Sequence, residues 1–138
     1  MIKQCKNNDE FLNITDKLEE VKDCELSKNT LYGYMVGGLY NNKVFTFTSY
    51  DKGKMSGCLI LTLINLHSDL CLNILFAWID KNHTKLWKEY MKFVEEKARG
   101  FKVKKIIVIT KRDAGAIERK FGKFGYEAKY NVVMKEMS

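Results

Sequence analysis

The feature that most constrains the fold of this chain is the order of hydrophobic patterns in its second half. An apolar run from Leu70 to Ile79 is typical of a strand, and from Thr84 to Arg99 the apolar residues recur at helical spacing. A β-branched run from Val103 to Thr110 then predicts a buried strand, and a short helix is expected over Ala116 to Lys123. This order predicts a parallel strand pair joined by a right-handed helical crossover.

The first half is dominated by strand patterns. Ile2 to Lys6 predicts a short strand, and Asn8-Asp9 supplies capping side chains for an amphipathic helix with Phe11, Ile14, Leu18 and Val21 on one face. Short polar turns separate the runs that follow, which predicts hairpins and antiparallel pairing. The predicted strands are Leu31 to Tyr40, Val44 to Tyr50, Gly57 to Leu66 and Leu70 to Ile79, and a last strand is expected over Tyr126 to Met134.

Length and composition limit the class of protein. A chain of 138 residues is close to the commonest domain size, so we expect one domain over residues 1–138. No apolar stretch is long enough to cross a membrane, and the polar amino terminus predicts an intracellular, cytoplasmic protein. The four cysteines lack zinc-site spacing, so free thiols and no metal site are expected.

The positive charge of the chain is concentrated in its second half. Residues 1–80 contain fewer basic than acidic residues, whereas from Lys81 onward the basic residues exceed the acidic ones by more than two to one. Such a surface is suited to the phosphates of a cofactor, to nucleic acid or to an acidic protein, and it is equally typical of a solvated helix face. Trp87, Tyr90 and Phe93 fall at helical spacing and are interpreted as core residues rather than base-stacking platforms.

Three segments carry a resemblance to a known family. Trp78-Ile79-Asp80 ends a strand, Glu95 to Ile106 forms a helix–turn–strand passage, and Phe121-Gly122-Lys123-Phe124-Gly125-Tyr126 is similar to a Tyr-x-x-x-Gly-Phe closing motif. In this order they resemble the GNAT family of acyl-CoA-dependent N-acetyltransferases. The resemblance implies an α+β fold, with a mixed, mostly antiparallel twisted sheet flanked by helices.

The resemblance also implies acetyl-CoA as the acyl donor, bound where the fourth strand of the family gives way to a helix. Family members carry a glycine-rich loop there, because glycine lets the backbone approach a pyrophosphate closely. This chain has no glycine between Gly57 and Gly100. We expect Asn82 or Thr84 to cap the helix. The cofactor-binding residues expected from the resemblance are Ile79, Asn82, Thr84, Lys85 and Lys88.

The catalytic devices of the family are also altered. A tyrosine that protonates the CoA thiolate in many members aligns with Phe121, and Asp113-Ala114 replaces a frequent asparagine. Asp80 and His83 are the remaining candidates for a general base. The alternative interpretations are that Asp80 ends the strand and that His83, like His67, is a surface or capping residue.

The tyrosines near the expected cleft are Tyr126 and Tyr130, and a core role is favoured for Tyr126 because it occupies the position of a packing phenylalanine. No Ser/His/Asp arrangement or phosphate loop indicates a different enzyme class.

Two functional hypotheses follow. The chain is a divergent acetyl-CoA-dependent N-acetyltransferase-like protein with weakened or lost catalysis, or it is a non-catalytic structural or interaction protein on the same fold. The second hypothesis is in keeping with a general resemblance to small acetyltransferase-like proteins of tailed phages, which implies a virion location and other virion proteins as partners. A nucleic-acid-binding role lacks a recognised reading motif.

Overall fold

The structure is a computed structural model that describes residues 1–21, 26–109, 121–129 and 132–137. The described strands form one seven-stranded sheet in the order β1-β2-β3-β4-β5-β7-β6. All neighbours are antiparallel except β4 and β5, which are parallel as predicted. The strands are β1 (Lys3–Gln4), β2 (Val44–Asp51), β3 (Lys54–Leu66), β4 (Asp69–Ile79), β5 (Lys105–Ile109), β6 (Glu127–Lys129) and β7 (Val132–Glu136).

Helices cover both faces of the sheet. The described helices are α1 (Asn8–Asp16), α2 (Lys28–Asn41) and α3 (Leu86–Gly100). Phe11, Ile14 and Leu31 of α1 and α2 join one core with alternate residues of β3 and β4, whereas Met91 and Val94 of α3 join the core on the opposite face. None of the described helices is long and apolar enough to cross a bilayer.

The N-cap of the first helix lies one residue before the predicted capping residues, Asn8 and Asp9. Asn7 is the N-cap, and its side-chain oxygen accepts hydrogen bonds from the backbone N–H groups of Asp9 and Glu10 at 2.8 and 3.3 Å. Asn8 and Asp9 therefore lie in the first helical turn. Burial of Phe11 and Ile14 confirms the predicted apolar face.

The strand predicted over Leu31 to Tyr40 is wrong, because this segment lies within α2. Its tyrosines, valine and three glycines are poor helix formers, and the run resembles a strand by composition. Ser27 caps the helix by accepting from the N–H of Thr30, and Asn42 ends it in the left-handed conformation. Burial of Leu31 and Met35, one turn apart, selects the helix.

The single last strand predicted over Tyr126 to Met134 is also wrong. The segment contributes two strands, β6 and β7, that pair antiparallel, and β7 inserts between β5 and β6. Alternation of apolar and polar residues runs through both strands, so the pattern alone does not reveal the reversal between them.

The predicted crossover, in which α3 joins the parallel strands β4 and β5, is confirmed with shifted boundaries. Helix α3 begins at Leu86 rather than Thr84, after a 3₁₀ turn over Lys81–His83. Its predicted apolar stripe is buried at Tyr90, Met91, Val94 and Ala98. The short helix expected over residues 116–123 falls mostly outside the described residues, which resume at Phe121 and a 3₁₀ turn over Gly122–Phe124.

Candidate functional site

The parallel strands β4 and β5 separate soon after they meet. Within the described residues they pair only at Leu72 with Ile106 and at Asn73 with Ile107. Beyond that point β4 continues to Ile79, whereas β5 stays paired with β7 along its whole length, from Lys105 to Ile109. The edge of β4 that faces β5 therefore has no described strand partner over residues 74–79, and its backbone groups can bind an extended, amide-containing ligand.

A β-bulge lies at the start of this open edge. Ile60 of β3 pairs with Phe76, whereas the next residue, Leu61, pairs with Ile74, so Leu75 is an extra residue in β4. A bulge bends its strand and increases the local twist. It therefore accounts for the divergence of β4 from β5 two residues after their last pairing.

The turn from β4 to α3 holds the residues that the sequence indicated for cofactor binding. Ile79 is buried at the strand end, whereas Asn82, Thr84, Lys85 and Lys88 are exposed. The expectation that Asn82 or Thr84 caps the helix is wrong. Lys85 is the N-cap residue and makes no side-chain capping bond, because the backbone already has helical torsions at Thr84 and Lys85.

The same turn brings Asp80 and His83 into direct contact and adds a third residue that the sequence did not indicate. His83 Nδ1 lies 2.9 Å from Asp80 Oδ2, and His83 Nε2 lies 2.8 Å from Asp51 Oδ2 at the tip of the β2–β3 hairpin. We call this cluster the Asp51–His83–Asp80 bridge. The hydrogen bond to Asp51, followed by that to Asp80, raises the pKa of His83.

This arrangement disfavours His83 as a general base. A base needs a free ring lone pair, and both ring nitrogens already face carboxylates that accept hydrogen bonds. Asp80 is likewise engaged, since the hydrogen bond from His83 lowers its pKa and makes it a weaker proton acceptor. The structure thus brings the two candidate residues together and engages both in the Asp51–His83–Asp80 bridge.

A buried hydroxyl cluster connects β2, β3 and α3 beside this turn. Ser49 Oγ lies 2.9 Å from Ser56 Oγ and 2.7 Å from the Tyr90 hydroxyl. The N–H of Asp80 donates to the carbonyl oxygen of Ser56, so the cluster adjoins the bridge. Burial raises the pKa of Tyr90, so the phenol stays protonated and serves as a hydrogen-bonding anchor.

The residue at the family's acid position is in the core. Phe121 is 6% exposed, and its ring lies edge-on to Trp87 at 6.3 Å between centroids and 5.6 Å from Tyr126. Tyr126 is also buried, in keeping with the favoured core role, although its hydroxyl has no hydrogen-bond partner within the part of the chain that the structure describes. Tyr130, Asp113 and Ala114 lie outside the described residues.

Sequence patterns did not identify a further polar side chain that lies where β4 and β5 separate. Asn73 of β4 is 5% exposed and sits at the last residue pair between β4 and β5. Its amide nitrogen donates to Thr62 Oγ1 at 3.0 Å, but its amide oxygen has no partner among the described residues. Its position inside an apolar run was the available signal, since a buried polar side chain there must form hydrogen bonds within the protein or bind a ligand.

The basic residues around the start of α3 form an exposed surface. Lys81, Lys85, Lys88 and Lys92 are all exposed, and none makes an ion pair with another of the residues that the structure describes. Lysines at the positive end of a helix dipole are mildly unfavourable there unless an anion is bound. The two carboxylates of the bridge repel an anion, whereas the lysines attract it. The surface therefore attracts an anionic ligand less strongly than its lysines alone would.

No family model matches the sequence, and no curated protein matches it either. Solved structures do. A protein from Desulfovibrio desulfuricans assigned to the GNAT family of acetyltransferases superposes with a TM-score of 0.80 at 10% identity, over 100% of this chain and 99% of that one. A GNAT-family acetyltransferase from Streptococcus pneumoniae gives a TM-score of 0.63 at 14% identity, over 100% and 99% of the two chains.

A third structure contains the acyl donor. It is a protein from Clostridium acetobutylicum, predicted to be an acetyltransferase and solved with acetyl-CoA, with a TM-score of 0.71 at 12% identity over 94% of this chain and 92% of that one. Similarity at this level of identity establishes the architecture. The chain therefore has the GNAT α+β fold, as the sequence resemblance implied.

Proposed function

We propose that this protein binds acetyl-CoA in the gap between β4 and β5, and that its capacity to transfer the acetyl group to an amine is weakened or lost. The observation that carries the proposal is the open edge of β4 with its bulge at Leu75. A row of backbone N–H and C=O groups without a described strand partner suits the two amides of a pantetheine arm.

The two ends of the ligand fit this site unequally. The open edge fits the amide-containing arm. The phosphate end would rely on the exposed Lys85 and Lys88, without close-approaching glycines and next to the carboxylates of Asp51 and Asp80. We therefore expect weak binding in which the arm contributes more than the phosphates.

Loss of chemistry is supported by two observations. The bridge occupies both nitrogens of His83, and Phe121 has no hydroxyl to protonate a leaving thiolate. When bound, acetyl-CoA would supply the thioester, and transfer would need the amine to lose a proton and the thiolate to gain one. Neither His83 nor Phe121 therefore supplies a free group for these tasks.

Titration calorimetry with matched ligands tests the proposal. Acetyl-CoA, acetyl-pantetheine and adenosine 3′,5′-bisphosphate would each be titrated at low and at moderate salt. We expect acetyl-CoA and acetyl-pantetheine to bind, with affinities that survive moderate salt because backbone hydrogen bonds are little screened. Absence of binding by both would refute the proposal, and binding of only the bisphosphate would reduce the site to a diffuse cationic surface.

Charge variants separate the proposed phosphate end from the general basicity of the chain. The double variant Lys85→Ala/Lys88→Ala removes two charges at the start of α3, and Lys102→Ala/Lys104→Ala removes two exposed charges beyond its end. We expect the first to weaken acetyl-CoA binding and leave acetyl-pantetheine unaffected, whereas the control leaves both unchanged. Equal losses in the two variants would contradict a localised phosphate end.

The second candidate function is a non-catalytic structural or interaction protein on the same fold, such as a phage virion or assembly component. The occupied His83 and the aromatic Phe121 favour it, because both remove chemistry without disturbing the fold. An acidic protein, a nucleic acid or other virion proteins would then be the partners of the lysine-rich surface, in the cytoplasm or in the virion. Co-purification of such a partner with the protein, together with absence of acetyl-CoA binding by the purified protein, would favour this function.

A further inference from the structure

The Asp51–His83–Asp80 bridge joins two turns that are distant in sequence. Asp51 pairs with Lys54 at the tip of the β2–β3 hairpin, and the two residues between them, Lys52 and Gly53, have positive φ angles of 52° and 79°. This is the geometry of a tight two-residue hairpin turn. His83 lies in the turn before α3, so its bond to Asp51 docks the hairpin tip on that turn.

The two hydrogen bonds of His83 set a requirement on its protonation. Both acceptors are carboxylate oxygens, and a carboxylate at neutral pH accepts hydrogen bonds but donates none. Neutral imidazole carries one N–H group and one lone pair, whereas imidazolium carries two N–H groups. Both bonds therefore exist together only when His83 is doubly protonated. Loss of one proton turns a lone pair toward one carboxylate and breaks that contact.

The contact to Asp51 is the one that breaks. Asp80 lies in the same turn as His83, its carbonyl oxygen accepts the backbone N–H of His83, and its side chain is 30% exposed. The side chain of Asp51 is 52% exposed and belongs to a hairpin 32 residues earlier in the chain, so it is joined to His83 by this side-chain contact and not by a shared turn. A solvated carboxylate at a hairpin tip loses less on separation than one that is tied to the ring by its own turn.

We propose that the Asp51–His83 contact is a proton-dependent latch, which docks the tip of the β2–β3 hairpin on the turn before α3 when His83 carries two ring protons and releases it when one is lost. The latch does not depend on the proposed function. It would place the hairpin tip under the control of pH beside the start of α3.

The charged groups around the His83 ring favour its doubly protonated form, and so favour docking of the hairpin at lower pH. The groups that act on His83 are Asp51 of the hairpin and Asp80 of its own turn, and both raise its pKa above the ordinary value of 6.5. The neighbouring Lys52 and Lys81 are exposed and form no ion pair with either carboxylate among the described residues. Docking is therefore complete at pH values below 6.5 and is lost as pH rises through the raised pKa of the folded protein.

A nuclear magnetic resonance titration from about pH 5 to about pH 9 tests the latch, since this range brackets histidine ionisation. The ring signals of His83 and the backbone amide signal of Gly53, at the hairpin tip, are followed together. In the wild-type protein we expect one shared midpoint. Asp51→Asn should lower the midpoint of the ring and remove the shift of Gly53, and His83→Gln should remove the shift of Gly53 while the fold is kept.

His67→Gln is the matched control, since His67 is the only other histidine and lies in the β3–β4 turn. It should leave the shared midpoint unchanged. The latch is overturned if the Gly53 signal still titrates in His83→Gln, or if Asp51→Asn leaves the His83 midpoint where it was. A double-mutant cycle of the two substitutions gives a second measurement, in which coupling of melting temperatures should be present at about pH 6 and absent at about pH 9.

Discussion

Replacing Gly57 by alanine is expected to destabilise the protein, because a single added carbon would collide with the buried Tyr90. Gly57 lies on β3, and a Cβ built there would be 2.8 Å from the Tyr90 hydroxyl oxygen and 2.9 and 3.0 Å from two of its ring carbons. These separations are shorter than carbon–carbon contacts at optimal packing. Tyr90 is 1% exposed and is held by its hydrogen bond to Ser49, so the ring cannot swing into solvent.

The expected cost follows from opposing effects. Overpacking of a rigid site costs about 1–3 kcal/mol, and weakening the hydrogen bond between Tyr90 and Ser49 adds about 0.5–1.5 kcal/mol. Replacing glycine reduces the conformational entropy of the unfolded chain and returns about 0.4–1 kcal/mol. Gly57 has no positive φ, so backbone strain adds nothing. The net effect is a loss of about 0.5–4 kcal/mol, which at its upper end is a large part of a typical domain's stability.

Urea unfolding of Gly57→Ala measures this loss, and Gly33→Ala is the control. Gly33 lies within α2, is exposed, and has no atom within 4 Å of an added Cβ. Alanine there should stabilise the protein by about 0.5–1 kcal/mol, through helix propensity alone. Adding Tyr90→Phe to Gly57→Ala removes the atom of closest approach, so the double variant should lose less than the sum of the two single losses.

Unchanged or increased stability of Gly57→Ala, with a normal urea dependence, would refute the proposed packing of Tyr90 against β3.

Three other outcomes are expected. Leu59→Ala should lower stability by about 2–5 kcal/mol in urea unfolding, because Leu59 is fully buried between the central strands and α3, and a loss below about 1 kcal/mol would contradict its place in that core. In a Cys24→Ser background the remaining thiols should resist a disulfide reagent in the folded protein and react in denaturant. The reason is that burial raises the pKa of Cys5 to about 11 and raises that of Cys58 further. Fast reaction in the folded protein would contradict their burial. Asn73→Leu combined with Thr62→Val should be neutral or stabilising by thermal unfolding, because the pair removes both ends of the Asn73–Thr62 hydrogen bond and an amide oxygen that has no partner among the described residues. A large loss would indicate that this oxygen is bound by a buried water.

The candidate site differs from its sequence-based prediction in what its polar residues do. Asp80 and His83 were indicated as possible bases, and the structure engages them with each other and with Asp51. Asp80 and His83 are three residues apart, so their contact forms within one turn. Nothing local to Asp51 marked it, because its role depends on the hairpin tip reaching a turn that follows 32 residues later.

Local pattern determined the part of this fold from β2 to β5. The alternation and turn residues of β2, β3 and β4, the helical period of α3 and the β-branched run of β5 each specify one element, and a crossover between parallel neighbours has one favoured hand. These features depend on residues within a few positions of each other. They are present in the sequence before any tertiary contact forms.

Tertiary structure decided the rest. Segment 31–40 has the composition of a strand, yet capping by Ser27 and burial of Leu31 and Met35 beside β2 make it a helix, because burial outweighs small differences in propensity. The reversal between β6 and β7 places β7 against β5, a pairing that no local pattern records. The open edge of β4 and the Asp51–His83–Asp80 bridge likewise arise from strand register and long-range contact, which only the folded chain fixes.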